Sequence, residues 1–160
     1  MPRPDPTQPL LPSVLDRLID FEPRVSTEPV ASRSQRLAQV RQAVKRDLEW
    51  LLNTKQMPDA PTGPPHLADS LVTYGLPDFT ASSLASVHDR ERLRKAVEAA
   101  VARFEPRLRN VAVTMLEGRE FDRSLRFRID ALLDVDPAPE PVTFDSVLQL
   151  NNKAFVVNAG

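Results

Sequence analysis

The stretch Ser124-Leu-Arg-Phe-Arg-Ile-Asp-Ala-Leu-Leu133 decides the fold class. Leu125, Phe127, Ile129, Ala131 and Leu133 alternate with Ser124, Arg126, Arg128, Leu132 and Asp134, a period of two that lays the apolar set on one side of an extended chain. A strand with one buried face needs neighbours. Upstream, the Val-rich run 108–116 followed by Glu117-Gly118-Arg119-Glu120 predicts a hairpin with it, paired antiparallel. Downstream, beyond the Pro137–Pro141 spacer, Val142, Phe144, Ser146, Leu148 and Leu150 alternate again. Asn151-Asn152 can then turn the chain into Ala154-Phe155-Val156-Val157.

The first half of the chain carries the other period. Ser32-x-x-Gln35 fits a capping box, and Leu37, Val40, Val44, Leu48 and Leu51 follow at steps of three to four, which predicts a long amphipathic helix. Its outer face, with Arg36, Arg41, Lys45 and Arg46, reads as solvated charge. A second long helix is expected from Val87 to Phe104, with Leu93, Val97, Ala100, Val101 and Phe104 on one face and Pro106 as its stop. Between the two, prolines in 55–66 impose a loop. The run Leu67–Phe79 predicts a short helical turn ended by Gly75 in a left-handed cap, with Asp78 holding the turn by side-chain bonds.

Helices first and strands last is the order of an α+β fold: a single domain with helices packed on one face of a small, mainly antiparallel sheet formed by the C-terminal half. Seven of the 16 prolines fall in the first 29 residues. The expected division is therefore a proline-rich arm, 1–31, with a short helix near 12–20 carrying Val14, Leu15, Leu18 and Ile19, and a folded domain, 32–158.

Composition narrows the function. A formal net charge of −1 provides no sequence-independent pull on phosphate backbones, which argues against a nucleic-acid partner. No apolar run approaches the length of a membrane span, and the N-terminus lacks the basic and apolar segments of a signal peptide, so a cytoplasmic location without direct membrane insertion is expected. The absence of cysteine removes disulfides, thiolate metal sites and thiol nucleophiles. His66 and His88 lack the helical spacing of a compact zinc site, and no P-loop, Gly-x-Gly-x-x-Gly turn or Gly-x-Ser-x-Gly elbow is present. The reading is a protein with no catalytic residues, no metal and no cofactor. A glycosidase would need two carboxylates across one bond, one of them raised in pKa, and Glu105 beside Arg107 is poorly suited to that role.

The junction Phe104-Glu105-Pro106-Arg107 is what remains. Proline stops the helix, biases Glu105 toward extended backbone and sets opposite charges on either side. Spacing alone allows two readings: a helix stop with a weak surface ion pair, or a charged corner used for recognition. The same four residue types recur at Phe21–Arg24, which reads as coincidence.

The stretch 32–54, and within it Arg46-Asp-Leu-Glu-Trp-Leu-Leu-Asn-Thr54, resembles the TssE family of type VI secretion system baseplate subunits, within the phage baseplate wedge and sheath-initiator family. Tyr74-Gly-Leu-Pro-Asp78, Phe104-Glu-Pro-Arg-Leu108, Leu125-Arg-Phe-Arg-Ile129 and Pro141-Val-Thr-Phe-Asp145 follow in the family's order, so the resemblance covers about residues 11–157. It implies a structural subunit at the cytoplasmic side of the inner membrane that joins the wedge and initiates the contractile sheath. The implied partners are the wedge subunits TssF, TssG and TssK, the sheath subunits TssB and TssC, and the spike hub. It assigns partner binding to Glu105, Pro106 and Arg107. A sheet edge offered to the sheath is placed in 142–150 or 154–157, with Phe155, Val156 and Val157 as its residues, although that segment also reads as ordinary sheet core. Members are sometimes labelled lysozyme-like, and a peptidoglycan hydrolase is the alternative. Replacing Glu105 or Arg107 by Ala is expected to abolish sheath assembly and leave the isolated fold intact.

Overall fold

Helix α1 spans Val14–Leu18, with Ser13 as its cap, and α2 spans Arg33–Asn53. The predicted box opens α2: Ser32 Oγ accepts from the Gln35 N–H at 3.3 Å, and Gln35 Oε1 accepts from the Ser32 N–H at 2.8 Å. Helix α3 spans Val87–Phe104 and ends as Pro106 requires, with the Glu105 N–H closing the last turn on Val101. The computed structural model describes residues 13–19, 32–58, 70–79, 86–116, 124–149 and 154–159.

Four strands follow: β1 (Leu108–Leu116), β2 (Ser124–Leu133), β3 (Glu140–Gln149) and β4 (Ala154–Ala159). They form one antiparallel sheet in the order β1-β2-β3-β4. This is the α+β domain that the two periodicities predict. The proposed turns at 117–120 and 151–152 lie outside the described residues, as do His66 and the Phe21–Arg24 copy of the junction.

Register explains the core. Met115, Phe127, Ser146 and Val157 stand in one cross-strand row, and Val113, Ile129 and Phe144 in the next, all facing the helices. Against them pack Val44, Leu48, Leu51 and Leu52 of α2 and Leu93, Val97, Ala100 and Val101 of α3. Each large side chain fully withdrawn from water here contributes about 1.5–3 kcal/mol. The opposite face of the sheet is polar over much of its area, with Arg128 paired to Asp145 at 3.2 Å and Thr143 donating to Asp130 at 2.7 Å. A row of Leu116, Arg126, Val147 and Val156 crosses it.

Two local expectations change. β3 begins at Glu140, so Pro141 belongs to the strand rather than to the spacer; it is the second residue, where the loss of one donor near a strand end is tolerated. The 67–79 stretch shows only a 3₁₀ turn, Leu71–Thr73, among its described residues, capped at Tyr74. Gly75 does adopt left-handed backbone, with φ of +103°, but its task is to lay Leu76 beside Lys55: the Leu76 N–H donates to Thr54 at 2.9 Å and the Gln56 N–H to Leu76 at 2.8 Å. Asp78 pairs with Lys55 Nζ at 3.5 Å. A Cβ on Gly75 would sit 2.3 Å from the Thr54 carbonyl oxygen. Gly75→Ala is therefore expected to cost about 1–3 kcal/mol, read as a lower urea midpoint with an unchanged slope. An unchanged midpoint would mean that the 54–56 and 75–76 segments separate without cost.

Both outer strands have their edges partly closed by helix side chains. On β1, the Val113 N–H donates to Glu98 Oε2 at 3.0 Å and the Val113 carbonyl accepts from Arg94 Nη1 at 3.0 Å. On β4, the Phe155 N–H donates to Asn53 Oδ1 at 2.8 Å and its carbonyl accepts from Asn53 Nδ2 at 2.9 Å. A carboxylate with a guanidinium, or one amide, thus takes the place of a neighbouring strand, one recognised way of protecting an edge.

Candidate functional site

At the end of α3 the chain turns sharply into β1. The Leu108 N–H donates to the Glu105 carbonyl at 3.0 Å, closing a turn whose second residue is Pro106, and the Asp134 N–H donates to the Arg107 carbonyl at 2.8 Å, tying that turn to the end of β2. Glu105 is only 4% exposed. Its carboxylate receives a two-pronged contact from Arg107: Nε to Oε1 at 2.6 Å and Nη2 to Oε2 at 2.5 Å. A buried carboxylate held this way is not the weak surface pair that spacing alone allows.

Three further residues complete the corner. Arg107 Nη2 also reaches Asp47 Oδ2 at 2.5 Å, and Asp47 Oδ1 accepts from Arg46 Nε at 2.9 Å. Arg46 Nη2 donates to Asp16 Oδ1 of α1 at 2.9 Å, and the Arg46 guanidinium lies 5.0 Å from the Trp50 ring centroid. Two guanidiniums and three carboxylates from α1, α2 and the junction therefore form one chain of charge-assisted bonds. Tyr74 packs edge-on against Phe104 at 5.2 Å between ring centroids. Burial, then the charges of Asp47 and Glu105, push its phenol above the ordinary tyrosine value.

Burial works against the Arg107 charge, but the hydrogen bond and charge of Glu105 and those of Asp47 outweigh it, and the guanidinium is held more firmly protonated than usual. Burial also pushes the Asp16 carboxyl up. Bonds from Ser13 and Arg46, with the Arg46 charge, more than reverse this and hold it below the ordinary aspartate value. The cluster is suited to holding a fixed shape rather than passing a proton, since both oxygens of Glu105 are occupied by a group that stays charged. Among the described residues no group of His, Asp and Glu side chains could hold a metal ion.

The structure brings together Glu105 and Arg107 of the predicted set, with Pro106 exposed between them. Phe155, Val156 and Val157 lie elsewhere, on β4. Of the two ranges expected to supply a free edge, 142–150 is interior, because β3 pairs with both β2 and β4. β4 is the outer strand, but Phe155 and Val157 turn their side chains into the core, at 5% and 0% exposed, and Val156 alone of the three is exposed, at 36%. Arg46, read from its spacing as solvated, is part of the corner. Asp16, Asp47, Asn53 and Tyr74 were not singled out as site residues. The signal for three of them was available, since Asp47 and Asn53 lie within Arg46–Thr54 and Tyr74 within 74–78, the motifs that support the resemblance.

The fold and the corner define a small α+β scaffold with a buried ionic corner and partly guarded sheet edges. The family model for baseplate wedge protein gp25 matches residues 38–138, more than half of the chain, and the chain belongs to that family. None of the curated proteins compared with it matches. Membership gives the chain a structural role in a phage-type or type VI secretion baseplate and makes other baseplate components its partners. The matched span includes Asp47, Tyr74, Glu105, Pro106 and Arg107, and excludes Asp16 and β4. No helix among the described residues is long and apolar enough to cross a membrane.

Proposed function

We propose that the chain is the wedge subunit of a type VI secretion baseplate that starts the contractile sheath, binding its wedge neighbours through Glu105, Pro106 and Arg107 and the sheath through β4. One observation carries this reading: motifs far apart in the sequence meet in a single corner. Asp47 and Arg46 come from the 46–54 motif, Tyr74 from 74–78, and Glu105 and Arg107 from 104–108, and all lie within one network or against it. Pro106 fixes the direction of the turn and stands exposed on it.

In this reading the chain divides into an arm, 1–31, and a domain, 32–158, and β4 is the sheath-facing strand. Val156 beside Val147 offers an apolar contact on the sheet face away from the helices, next to Asn158 on the same side of β4. Addition of a full strand would require Asn53 to release Phe155. The partners named from the resemblance, TssF, TssG and TssK in the wedge and TssB and TssC in the sheath, with the spike hub nearby, belong to this proposal, as does a place on the cytoplasmic side of the inner membrane.

The experiment is co-purification of the tagged chain with the wedge subunits, together with imaging of labelled sheath in cells lacking it. The expected result is a stable complex with TssF and TssG and no extended sheath in the deletion strain. Extended sheaths at normal number without the chain would overturn the initiating role. Wall cleavage by the purified protein that disappears with Glu105→Gln would instead favour the hydrolase reading.

A further inference from the structure

Helix α1 touches the corner in an unusual way. It is five residues long, and Val14, Leu15 and Leu18 are 74%, 43% and 77% exposed, while Ile19 is half-buried. A segment held by hydrophobic burial would show the reverse. Its Asp16 side chain, in contrast, is only 16% exposed: Oδ1 accepts from Arg46 Nη2 at 2.9 Å and Oδ2 lies 3.9 Å from Arg107 Nη1. Among the described residues, α1 is attached to the corner through one carboxylate on two guanidiniums. Both guanidiniums keep other partners when it leaves, Arg46 on Asp47 and Arg107 on Asp47 and Glu105. With Asp16 the cluster has three carboxylates against two cations, and without it the charges balance.

We infer that the outward side of the Arg46–Arg107 pair is a carboxylate-binding site that Asp16 fills in the free subunit, and that an acidic side chain of a neighbouring wedge subunit takes the same place by displacing α1. The occupant is specified by the site itself. Two guanidiniums, each already holding a carboxylate on its inner side, accept one more planar anion on the outer side. An attachment of partly exposed ion pairs with little apolar burial is weak enough to exchange. This inference rests on the corner being the wedge-binding surface.

The chain has no cysteine, so spin labels can be placed cleanly at Val14→Cys and Ala99→Cys, both exposed positions on α1 and α3. Adding the co-expressed wedge complex is expected to lengthen and broaden the distance between them. Asp16→Asn, which weakens the hold on α1, is expected to bind that complex about five- to tenfold more tightly, because apparent affinity is reduced by the fraction of subunits whose site is occupied. An unchanged label distance on binding, or Asp16→Asn binding no better than the parent, would overturn the inference. Arg107→Lys separates the two failures: it keeps the charge but loses the fork. If it binds the wedge as the parent does, the corner itself is wrong. If it loses binding while α1 stays docked in the parent complex, only the displacement is wrong.

Discussion

Arg107→Ala is expected to destabilise the isolated domain by about 3–5 kcal/mol, because it strands a buried carboxylate rather than trimming a surface pair. Glu105 is 4% exposed and has no other cationic partner among the described contacts, and Asp47 loses its second guanidinium in the same change. Against a total stability of about 5–15 kcal/mol this is a large fraction. The expectation from sequence that the fold survives such a substitution intact does not fit this burial. The measurement is a urea midpoint, and a shift worth less than about 1 kcal/mol would return the pair to the class of exposed salt bridges.

A second variant separates stability from docking. The double substitution Glu105→Met with Arg107→Met removes both charges and keeps much of the volume, so most of the lost stability should return. If the corner recognises its partner through the charges, as proposed, recognition should not return. A domain that refolds at near-parental stability yet fails to co-purify with the wedge would locate binding in the corner's chemistry. If the refolded double variant still co-purifies, the ionic groups serve the fold alone.

The fold was legible because its elements obey simple periods. The alternation at 125–133 and 142–148 placed two central strands with the correct face inward, and the Ser32 box and Pro106 marked helix ends that the structure keeps. The junction at 104–107 was also visible, because proline after a helix forces a turn. What was not legible shares one physical cause, which is separation along the chain. In the sequence Arg46 reads as one more charge among the polar positions of α2, like Arg36 and Lys45. Only the arrival of Asp16 from 30 residues away and of Arg107 from 60 residues beyond its Asp47 neighbour makes it part of a site. Of the two ranges read as the edge, 142–150 is interior because β4 pairs outside it, and 154–157 is the outer strand. Nothing local to 154–157 announces that a side chain at the end of α2 will occupy its outer hydrogen bonds.

That side chain supports the other large effect. Asn53 uses its whole amide: Oδ1 accepts from the Phe155 N–H, while Nδ2 donates to the Phe155 carbonyl and, at 2.8 Å, to the Glu49 carbonyl of its own helix. Phe155 turns its side chain into the core at 5% exposed, but Asn53 is itself exposed, so water can partly replace the amide once it is removed. Asn53→Ala should therefore cost about 1–3 kcal/mol, the net of two main-chain hydrogen bonds at about 0.5–1.5 each. Asn53→Asp keeps an acceptor for the N–H but sets a carboxylate oxygen against the carbonyl, so it should not rescue the loss. Amide exchange gives the direct readout: the Phe155 N–H should exchange much faster in Asn53→Ala, while the Val113 N–H, held on the opposite edge by Glu98, should keep its protection relative to global unfolding. If β4 meets the sheath and the corner meets the wedge, this variant should still co-purify with wedge subunits at a temperature where it is folded, while sheath number alone shifts, because the change both frees the outer edge of β4 and loosens the strand. Equal loss of both would mean that β4 and the corner serve a single interface.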